Sequence, residues 1–263
     1  MPVKHISSVD NRNIKLAVKL ADKKIRDREG LFFAEGRKSV MEVLKRPELI
    51  SAIFIEDINQ NQYQKLIAEY NYLEWYSVNS QLMKRICHTE TPQGIAVMVK
   101  KPKWPLDKII AGDSLLLYLD RISDPGNIGT IIRTAWAFDV NGRLLSPGCV
   151  DPFSPKVVRS TMGGIFNVPL ITDINEEQLV MLQDKGYNFA GADLSGNSSF
   201  YDMDFSNRIV VVIGNEVNGI NDYVKGKCNF LFKIPINSAA DSLNAAVACA
   251  IIIEKAYRQR HFC

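Results

Sequence analysis

The sequence offers little from which a disulfide framework or a structural metal site could be built. Its 263 residues include five cysteines and three histidines. The cysteine count is odd, and no two cysteines stand in the C-x-x-C pair that is typical of zinc and redox sites. We therefore expect reduced thiols, no bound metal, and a protein of the reducing cytoplasm. The cysteines are Cys87, Cys149, Cys228, Cys249 and Cys263.

Long apolar runs are also absent. The longest one, Ala245–Ile253, has nine residues, whereas a helix that crosses a membrane needs about 20. The first residues contain no apolar core of the kind that a secretory signal has. These observations predict a soluble cytoplasmic protein with no membrane partner.

Several catalytic motifs are missing as well. No G-x-G-x-x-G follows a predicted strand, and neither G-x-x-x-x-G-K-[ST], G-x-S-x-G nor H-E-x-x-H occurs. These patterns hold a dinucleotide, a nucleoside triphosphate, an acyl intermediate or a catalytic zinc ion. The corresponding enzyme classes therefore lose their main support.

The charged residues that are present are unevenly distributed. The formal net charge is +3, but residues 1–46 alone hold 12 Lys and Arg against 6 Asp and Glu. A basic surface of this kind favours a polyanion such as RNA. It has a simpler interpretation too, because Lys15, Lys19, Lys23 and Arg26 recur at the spacing of a solvated helix face. Charge alone does not decide between the two.

The length and the pattern of apolar residues indicate two domains. With 46% apolar residues, the chain has enough material for two separate cores. The segment Lys100–Pro105 contains two prolines among lysines and can continue neither a helix nor a central strand. We predict an α/β domain at residues 1–100, a linker at 101–112 and a second α/β domain at 113–263.

The second domain is predicted to contain a mainly parallel sheet. Its apolar runs lack the polar alternation of a half-exposed strand, which is typical of strands buried on both faces. Predicted strands lie at 31–34, 53–55, 75–78 and 94–99 in the first domain and at 114–119, 189–192, 209–213 and 230–234 in the second. Predicted helices lie at 36–46, 61–70, 80–86, 128–138 and 243–259.

Three segments of the second domain place polar or Gly-rich residues after an apolar run. They are Asp124–Arg133, Ile213–Gly219 and Ile234–Asn244. Open α/β sheets bind their ligands outside the carboxyl ends of their strands. We therefore expect the functional site in these segments.

Each polar residue in these segments has a structural interpretation beside the functional one. Asn127 is suited to cap a helix, and Arg133 interrupts an apolar helix, where a charge needs a partner, a route to solvent or a task. Glu216 projects from a Gly-rich loop that lets a ligand approach the backbone, or it is the first-turn acid of a helix. Ser242 is expected to cap the last helix, which puts Asn244, a poor helix former, inside its first turn.

In this order, the three segments resemble the motifs of the SpoU (TrmH) branch of the SPOUT RNA methyltransferases. Asp139 and Ser238 depart from the pattern, because glycine is common at both places. Residues 33–37 and 91–95 resemble parts of the ribosomal-protein-like substrate domain that many members carry. The motifs are matched by Asn127, Gly129 and Arg133, by Gly214, Glu216 and Gly219, and by Ile234, Pro235, Ser242, Leu243 and Asn244.

The resemblance implies a deep trefoil knot in the second domain, with S-adenosylmethionine bound by the knotted loops. The reaction it implies is methylation of a ribose 2′-hydroxyl, most readily in ribosomal RNA, without a metal. The implied cofactor-binding residues are Leu194, Gly214, Asn215, Gly219, Ile234, Ile236 and Leu243.

The resemblance also implies roles for polar and basic residues. Arg133 would hold phosphates beside the 2′-hydroxyl or act as its base, and the first is physically easier because a guanidinium stays protonated. The implied catalytic residues are Asn127, Arg133, Glu216, Ser242 and Asn244. The first domain would grip RNA through Arg12, Lys15, Arg37 and Lys38, with Phe33 in its core.

A homodimer through the C-terminal domain is expected as well. The last helix carries small and apolar residues on more than one face, which a helix covering only its own sheet does not need. The residues concerned are Ala246, Val247, Ala250, Ile251, Ile253 and Glu254.

Three alternatives stay open at this point. The substrate is transfer RNA in one, and in another the protein is a non-catalytic RNA-binding member of the fold. The third, a Rossmann-type methyltransferase, is disfavoured because the turn at residues 124–127 lacks the G-x-G that this class uses.

Overall fold

The computed structural model describes residues 3–110 and 112–262. The chain forms two compact units: one contains the residues up to Lys103 together with Asp151–Phe166, and the other contains Trp104–Val150 and the chain from Asn167 onward. The chain therefore passes between the units three times. The functional domains at 1–100 and 113–263 stay a prediction, but residues 151–166, expected in the second domain, pack within the first unit.

The elements follow one another in the alternating order of an α/β protein. The strands are β1 (Lys4–Ile6), β2 (Leu31–Glu35), β3 (Ile50–Glu56), β4 (Trp75–Val78), β5 (Ile95–Lys100), β6 (Leu115–Leu119), β7 (Gly142–Leu145), β8 (Leu170–Ile171), β9 (Asn188–Ala192), β10 (Ser198–Ser199), β11 (Ile209–Ile213) and β12 (Phe230–Lys233). The α-helices are α1 (Arg12–Lys19), α2 (Lys23–Glu29), α3 (Arg37–Val43), α4 (Gln64–Glu69), α5 (Ser80–Ile86), α6 (Leu106–Ile109), α7 (Pro125–Ala137), α8 (Pro155–Ser160), α9 (Glu176–Asp184), α10 (Asp222–Lys227) and α11 (Ala245–Phe262). Short 3₁₀ turns lie at Pro47–Leu49, Asp57–Tyr63, Gly164–Phe166 and Phe200–Asp202.

The first unit is built on a five-stranded mixed sheet with the order β1-β4-β3-β5-β2. Strands β1, β4 and β3 are parallel, and β5 runs antiparallel to both of its neighbours. All four strands predicted for this region are confirmed. Strand β1 was missed because three residues are too few to show alternation. Phe33 is 2% exposed, so its assignment to the core is confirmed.

Aromatic stacking and a buried ion pair fix residues 151–166 within the first unit. The Phe32 ring lies 5.0 Å from that of Phe153 and 5.9 Å from that of Phe166, measured between centroids. Arg26 is 3% exposed, and its Nε and Nη2 donate to Asp151 Oδ2 at 3.0 and 2.5 Å. The interpretation in which Arg26 belongs to a solvated helix face, one of the two left open above, is therefore wrong for this residue. The spacing of cations along a helix carries no information about a carboxylate 125 residues away.

The second unit contains a seven-stranded sheet with the order β10-β12-β9-β11-β6-β7-β8. All six neighbouring pairs are parallel, which confirms the predicted mainly parallel sheet. The central strands β6 and β11 are buried at every position, as their unbroken apolar sequences predicted. The knot itself stays a prediction.

Two helices of the second unit begin at other residues than expected. Helix α7 starts at Pro125, and Asp124 is its cap, with Oδ1 accepting from Asn127 N at 2.8 Å. Asn244 caps α11, because its Oδ1 accepts from Ala246 N at 2.9 Å. Asn127 and Ser242 were therefore wrongly predicted as caps. The Asp-Pro pair is the stronger start signal, since proline favours the first helical position.

Among the described residues, no helix is both long enough and apolar enough to cross a bilayer. The side chains of Cys87, Cys149, Cys228 and Cys249 are free thiols. The fifth cysteine, Cys263, lies outside the described residues.

Candidate active site

A cavity of about 340 Å³ opens in the second unit beside the carboxyl ends of β9, β11 and β12. Its lining includes all seven predicted cofactor residues: Leu194, Gly214, Asn215, Gly219, Ile234, Ile236 and Leu243. The lining also includes Asp193 and Lys233, which the sequence analysis missed. The carboxyl edge of the sheet thus carries the cavity, as the rule for open α/β sheets predicts.

Gly214 has no room for a side chain. A Cβ at this position would lie 2.3 Å from the carbonyl carbon of Gly219 and 2.4 Å from Ile220 N. Both neighbours are backbone atoms and cannot turn away. The loop returns this closely because Asn215 and Gly219 exchange two backbone hydrogen bonds of 3.0 and 2.9 Å, with Gly219 at φ +62°. The cavity wall is therefore bare backbone, which a flat ligand can approach closely.

One polar residue from each of the three sequence segments meets in a hydrogen-bonded chain. Asn127 Nδ2 donates to Glu216 Oε1, and Asn244 Nδ2 donates to Asn127 Oδ1 at 2.9 Å. Asn127 is 9% exposed. Its side-chain amide donates to Glu216 and accepts from Asn244, and these two hydrogen bonds fix the orientation of the amide. Glu216 lines the cavity, so this hydrogen-bonded chain of side chains reaches the cavity wall. Three of the five predicted catalytic residues are thus brought together.

The structure leaves Ser242 and Arg133 outside this chain. Ser242 lines the cavity and is exposed. Arg133 is exposed on α7, and within the part of the chain that the structure describes its guanidinium has no hydrogen bond or ion pair. Ile131 and Ile132 of the same helix are buried. The apolar residues around Arg133 therefore form the buried face of α7, and Arg133 lies outside that face. Arg133 follows Asn127 by six positions on the helix, which turns the two side chains about 120° apart around its axis.

A second network includes Asp193, another residue of the cavity lining. Asp193 Oδ1 accepts from Ser195 N at 2.8 Å and from Ser195 Oγ at 2.6 Å, while Lys225 Nζ lies 2.9 Å from Asp193 Oδ2. Burial opposes ionisation of Asp193, but the hydrogen bonds from Ser195 and Lys225 outweigh it and lower the pKa of Asp193. The turn presents Leu194, 61% exposed, at the edge of the cavity. No local pattern links residues 193 and 225, so sequence reasoning had no signal for this pair.

The predicted RNA-binding residues lie at the starts of two helices of the first unit. Arg12 and Lys15 are on α1, Arg37 and Lys38 begin α3, and all four are exposed. Lys15 forms an ion pair with Asp10 at 2.8 Å. The two segments that resemble a substrate domain contact each other, since Arg37 N donates to Gln93 Oε1 at 2.9 Å. Their role in RNA binding stays a prediction.

The fold and the cavity define a class of protein, a cofactor-dependent α/β enzyme. Leu194, Ile236 and Leu243 supply apolar walls, and Gly214 supplies the bare backbone that suits a flat base. The carboxylate of Glu216, which forms no ion pair among the described residues, suits a cationic ligand. Such a lining fits S-adenosylmethionine, which combines an adenine, a ribose and a sulfonium cation, and the volume is within the usual range of ligand sites.

Comparison with known proteins narrows this class to one family. The model of the SpoU rRNA Methylase family matches residues 114–254, and that of the MRM3-like substrate binding domain matches residues 11–97. A relative from Bacillus subtilis, the 23S rRNA (guanosine(2553)-2′-O)-methyltransferase RlmP, is 30% identical over 95% of this chain and 98% of its own. The chain belongs to the SpoU rRNA methylase family, so the resemblance in its motifs is confirmed.

Solved structures support the same assignment. The AdoMet-bound rRNA methyltransferase from Sinorhizobium meliloti is 30% identical, covers 99% of both chains and superposes with a TM-score of 0.87. The SpoU methyltransferase AviRb from Streptomyces viridochromogenes, in complex with AdoMet, is 26% identical with a TM-score of 0.87 and covers 95% of this chain and 98% of its own. The present chain is an enzyme of this S-adenosylmethionine-dependent class.

The Asp193–Lys225 pair gives a first testable prediction. Lys225→Met should weaken S-adenosylmethionine binding about tenfold, because the loop that carries Leu194 loses a charge-assisted hydrogen bond. The turnover at saturating cofactor should stay within about twofold, since neither residue belongs to the Asn127 chain. Calorimetry and steady-state kinetics measure the two quantities.

Two further variants test whether the ion pair is the cause. Lys225→Arg should restore most of the affinity, and Lys227→Met, a neighbouring lysine on α10, should leave it unchanged. An equal loss of affinity in Lys225→Arg and Lys225→Met would show that the ion pair does not hold the loop.

Proposed function

We propose that this protein acts in the cytoplasm and transfers a methyl group from S-adenosylmethionine to a ribose 2′-hydroxyl of ribosomal RNA. The observation that carries the proposal is the chain Asn244–Asn127–Glu216, which joins all three family motifs beside the cavity. Of the three relatives named above, one is by name a 23S rRNA 2′-O-methyltransferase, one an AdoMet-bound rRNA methyltransferase and one a SpoU methyltransferase in complex with AdoMet. Both parts of this chain, the catalytic and the substrate-domain region, match family models.

In this proposal, Asn127, Glu216 and Arg133 have different roles in the reaction. Bound S-adenosylmethionine supplies a methyl group that is already activated as a sulfonium, so the protein has to orient the ribose and ease loss of its proton. Asn127 holds one oxygen of Glu216, which leaves the other free to accept a hydrogen bond from a ligand in the cavity. Arg133 holds the RNA phosphates beside the target ribose through its planar fork of donors.

Arg133 and the cavity are brought together by a second copy of the chain in this proposal. Within one chain, Arg133 is exposed and is not part of the cavity lining. On α11, Val247 and Ile251 are 50% and 36% exposed and stand one turn apart, an apolar strip that faces away from the unit's own core. Ala246 and Ile253 of the same helix are buried within their own unit, so they do not belong to this strip. We infer that the strip is buried in a two-fold homodimer.

The dimer is tested by placing a charge in this strip. Ile251→Glu should give monomers in sedimentation velocity at micromolar concentration, because a buried unpaired carboxylate costs several kcal/mol. Methyl transfer should fall with dimer content, since each cavity then lacks the partner's Arg133. Val180→Glu is the matched control, a 40% exposed valine on α9 that should leave the dimer intact. Wild-type protein that sediments as a monomer contradicts the proposal.

The reaction itself is tested with radiolabelled S-adenosylmethionine and total RNA from cells that lack the protein. We expect label in ribosomal RNA at a position that resists alkaline cleavage, because a 2′-O-methyl group removes the nucleophile of strand scission. Label found in the transfer RNA fraction instead would show that the substrate is transfer RNA and not ribosomal RNA. A protein that binds RNA and transfers no label would be a non-catalytic member of the family.

A further inference from the structure

The first unit contains a second cavity that the methyl-transfer mechanism does not use. Its volume is about 230 Å³, and its lining consists of Glu56, Ser80, Met83, Lys84, Glu90, Thr91 and Pro92. Glu56 ends β3, and Ser80 follows the end of the parallel strand β4 by two residues. The cavity thus lies at the carboxyl edge of parallel strands, where α/β sheets bind ligands.

Three charged side chains line this cavity without neutralising one another. In the described part of the chain, none of Glu56, Lys84 and Glu90 forms an ion pair. Glu56 is half-buried, and the one hydrogen bond of its carboxylate in the described residues is a long one, 3.4 Å from Asn59 Nδ2. A half-buried carboxylate without good donors is costly. A ligand that offers N–H groups removes this cost.

The chemistry of the lining selects one kind of ligand. A carboxylate only accepts, and its two oxygens match two parallel N–H donors. Among the RNA bases, guanine alone presents two adjacent donors, N1–H and the N2 amino group, on its Watson–Crick edge. Its O6 acceptor stands next to them and suits the Lys84 ammonium, while Met83 is an apolar part of the lining. Adenine and cytosine place an acceptor at the centre of that edge, and uracil flanks its one donor with two acceptors.

We propose that this cavity binds an unpaired guanine base of the RNA substrate, with Glu56 on N1–H and N2 and Lys84 on O6. Proteins that read RNA sequence commonly do so on bases that leave the stack in loops and bulges. Two carboxylates against one ammonium give the lining a net negative charge, which disfavours a backbone phosphate and favours the donor edge of a base. The inference rests on the proposed function and adds a sequence preference to it.

The test uses full-length protein and fluorescein-labelled RNA hexamers of uridine with one central purine. Fluorescence anisotropy should show the guanine hexamer bound at least about tenfold more tightly than the adenine hexamer, the usual discrimination of a bidentate contact. Inosine, which lacks the N2 amino group, should bind with intermediate affinity. Glu56→Gln should remove the difference between guanine and inosine, and Lys84→Met should weaken both relative to adenine.

The matched control is Glu69→Gln, an exposed carboxylate on α4 of the same unit. Both glutamine variants remove one negative charge and so raise overall RNA affinity similarly, which makes the ratio between hexamers the decisive quantity. Wild-type protein that binds the hexamers equally, or binds none, overturns the inference. So does an unchanged ratio in Glu56→Gln and Lys84→Met with normal thermal unfolding. Methylation of ribosomal RNA without guanine preference refutes only the cavity, and guanine preference without methylation refutes only the proposed function.

Discussion

Gly214→Ala is expected to weaken S-adenosylmethionine binding by at least about a hundredfold, which corresponds to about 2.7 kcal/mol. The added methyl group would lie 2.3 Å from the backbone of Gly219, so the loop must open to accommodate it. Opening the loop would also displace Glu216, which lies in the same loop and accepts a hydrogen bond from Asn127. Isothermal calorimetry on the folded variant measures the loss directly.

A glycine on the next helix provides the control for this substitution. Gly226 lies in α10, where an added Cβ meets nothing within 4 Å, and alanine is there a better helix former than glycine. Gly226→Ala should therefore bind the cofactor as the wild type does. Normal affinity in Gly214→Ala would place the cofactor in a different cavity.

Arg133→Ala is expected to lower the rate of methyl transfer by about a hundredfold or more, while cofactor affinity stays within a few-fold. Arg133 is not part of the cavity lining, so its loss should leave cofactor binding nearly unchanged, and in the proposed mechanism it holds RNA at the reacting ribose. Single-turnover kinetics with saturating RNA separate the two quantities. Arg133→Lys should recover little, since a point charge does not replace a planar fork of donors.

Thr130→Ala is the matched control, because Thr130 is exposed on α7 one turn before Arg133. It should retain wild-type turnover if the effect belongs to the guanidinium and not to the helix surface. Full activity in Arg133→Ala would remove this residue from the mechanism and leave the Asn127 chain without a phosphate-binding partner.

The parts of the site that the sequence predicted are those determined by local order along the chain. Strand β11 and the Gly-rich loop after it are read from one continuous run, and the loop closes on itself through Asn215 and Gly219. The rule for the carboxyl edge then places that loop beside the segment that begins at Ile234. Local pattern and one topological rule therefore located two of the segments that line the cavity, whereas Leu194 was named only through the resemblance to the family and Asp193 was missed.

The parts that escaped prediction depend on partners far apart in the chain. The fold brings the side chains of Asp193 and Lys225 together as an ion pair, and no residue next to either one in the sequence indicates this contact. The exposure of Arg133 is a matter of helical phase, and its apolar neighbours concealed it because they lie on the buried face. Asn244 was expected inside a helix and proved to be its cap, since helix ends shift by a residue or two without changing the pattern.

The three passages of the chain between the units bear on how the protein is made. During synthesis, residues 3–100 leave the ribosome well before Asp151, Phe153 and Phe166, which complete their packing and follow only after β6, α7 and β7 have been translated. Until then Arg26 lacks its partner carboxylate on Asp151, and the Phe32 ring lacks its contact with Phe166. The first unit therefore cannot finish folding until residue 166 has been translated, and a nascent chain halted before residue 151 is expected to be a substrate for chaperones.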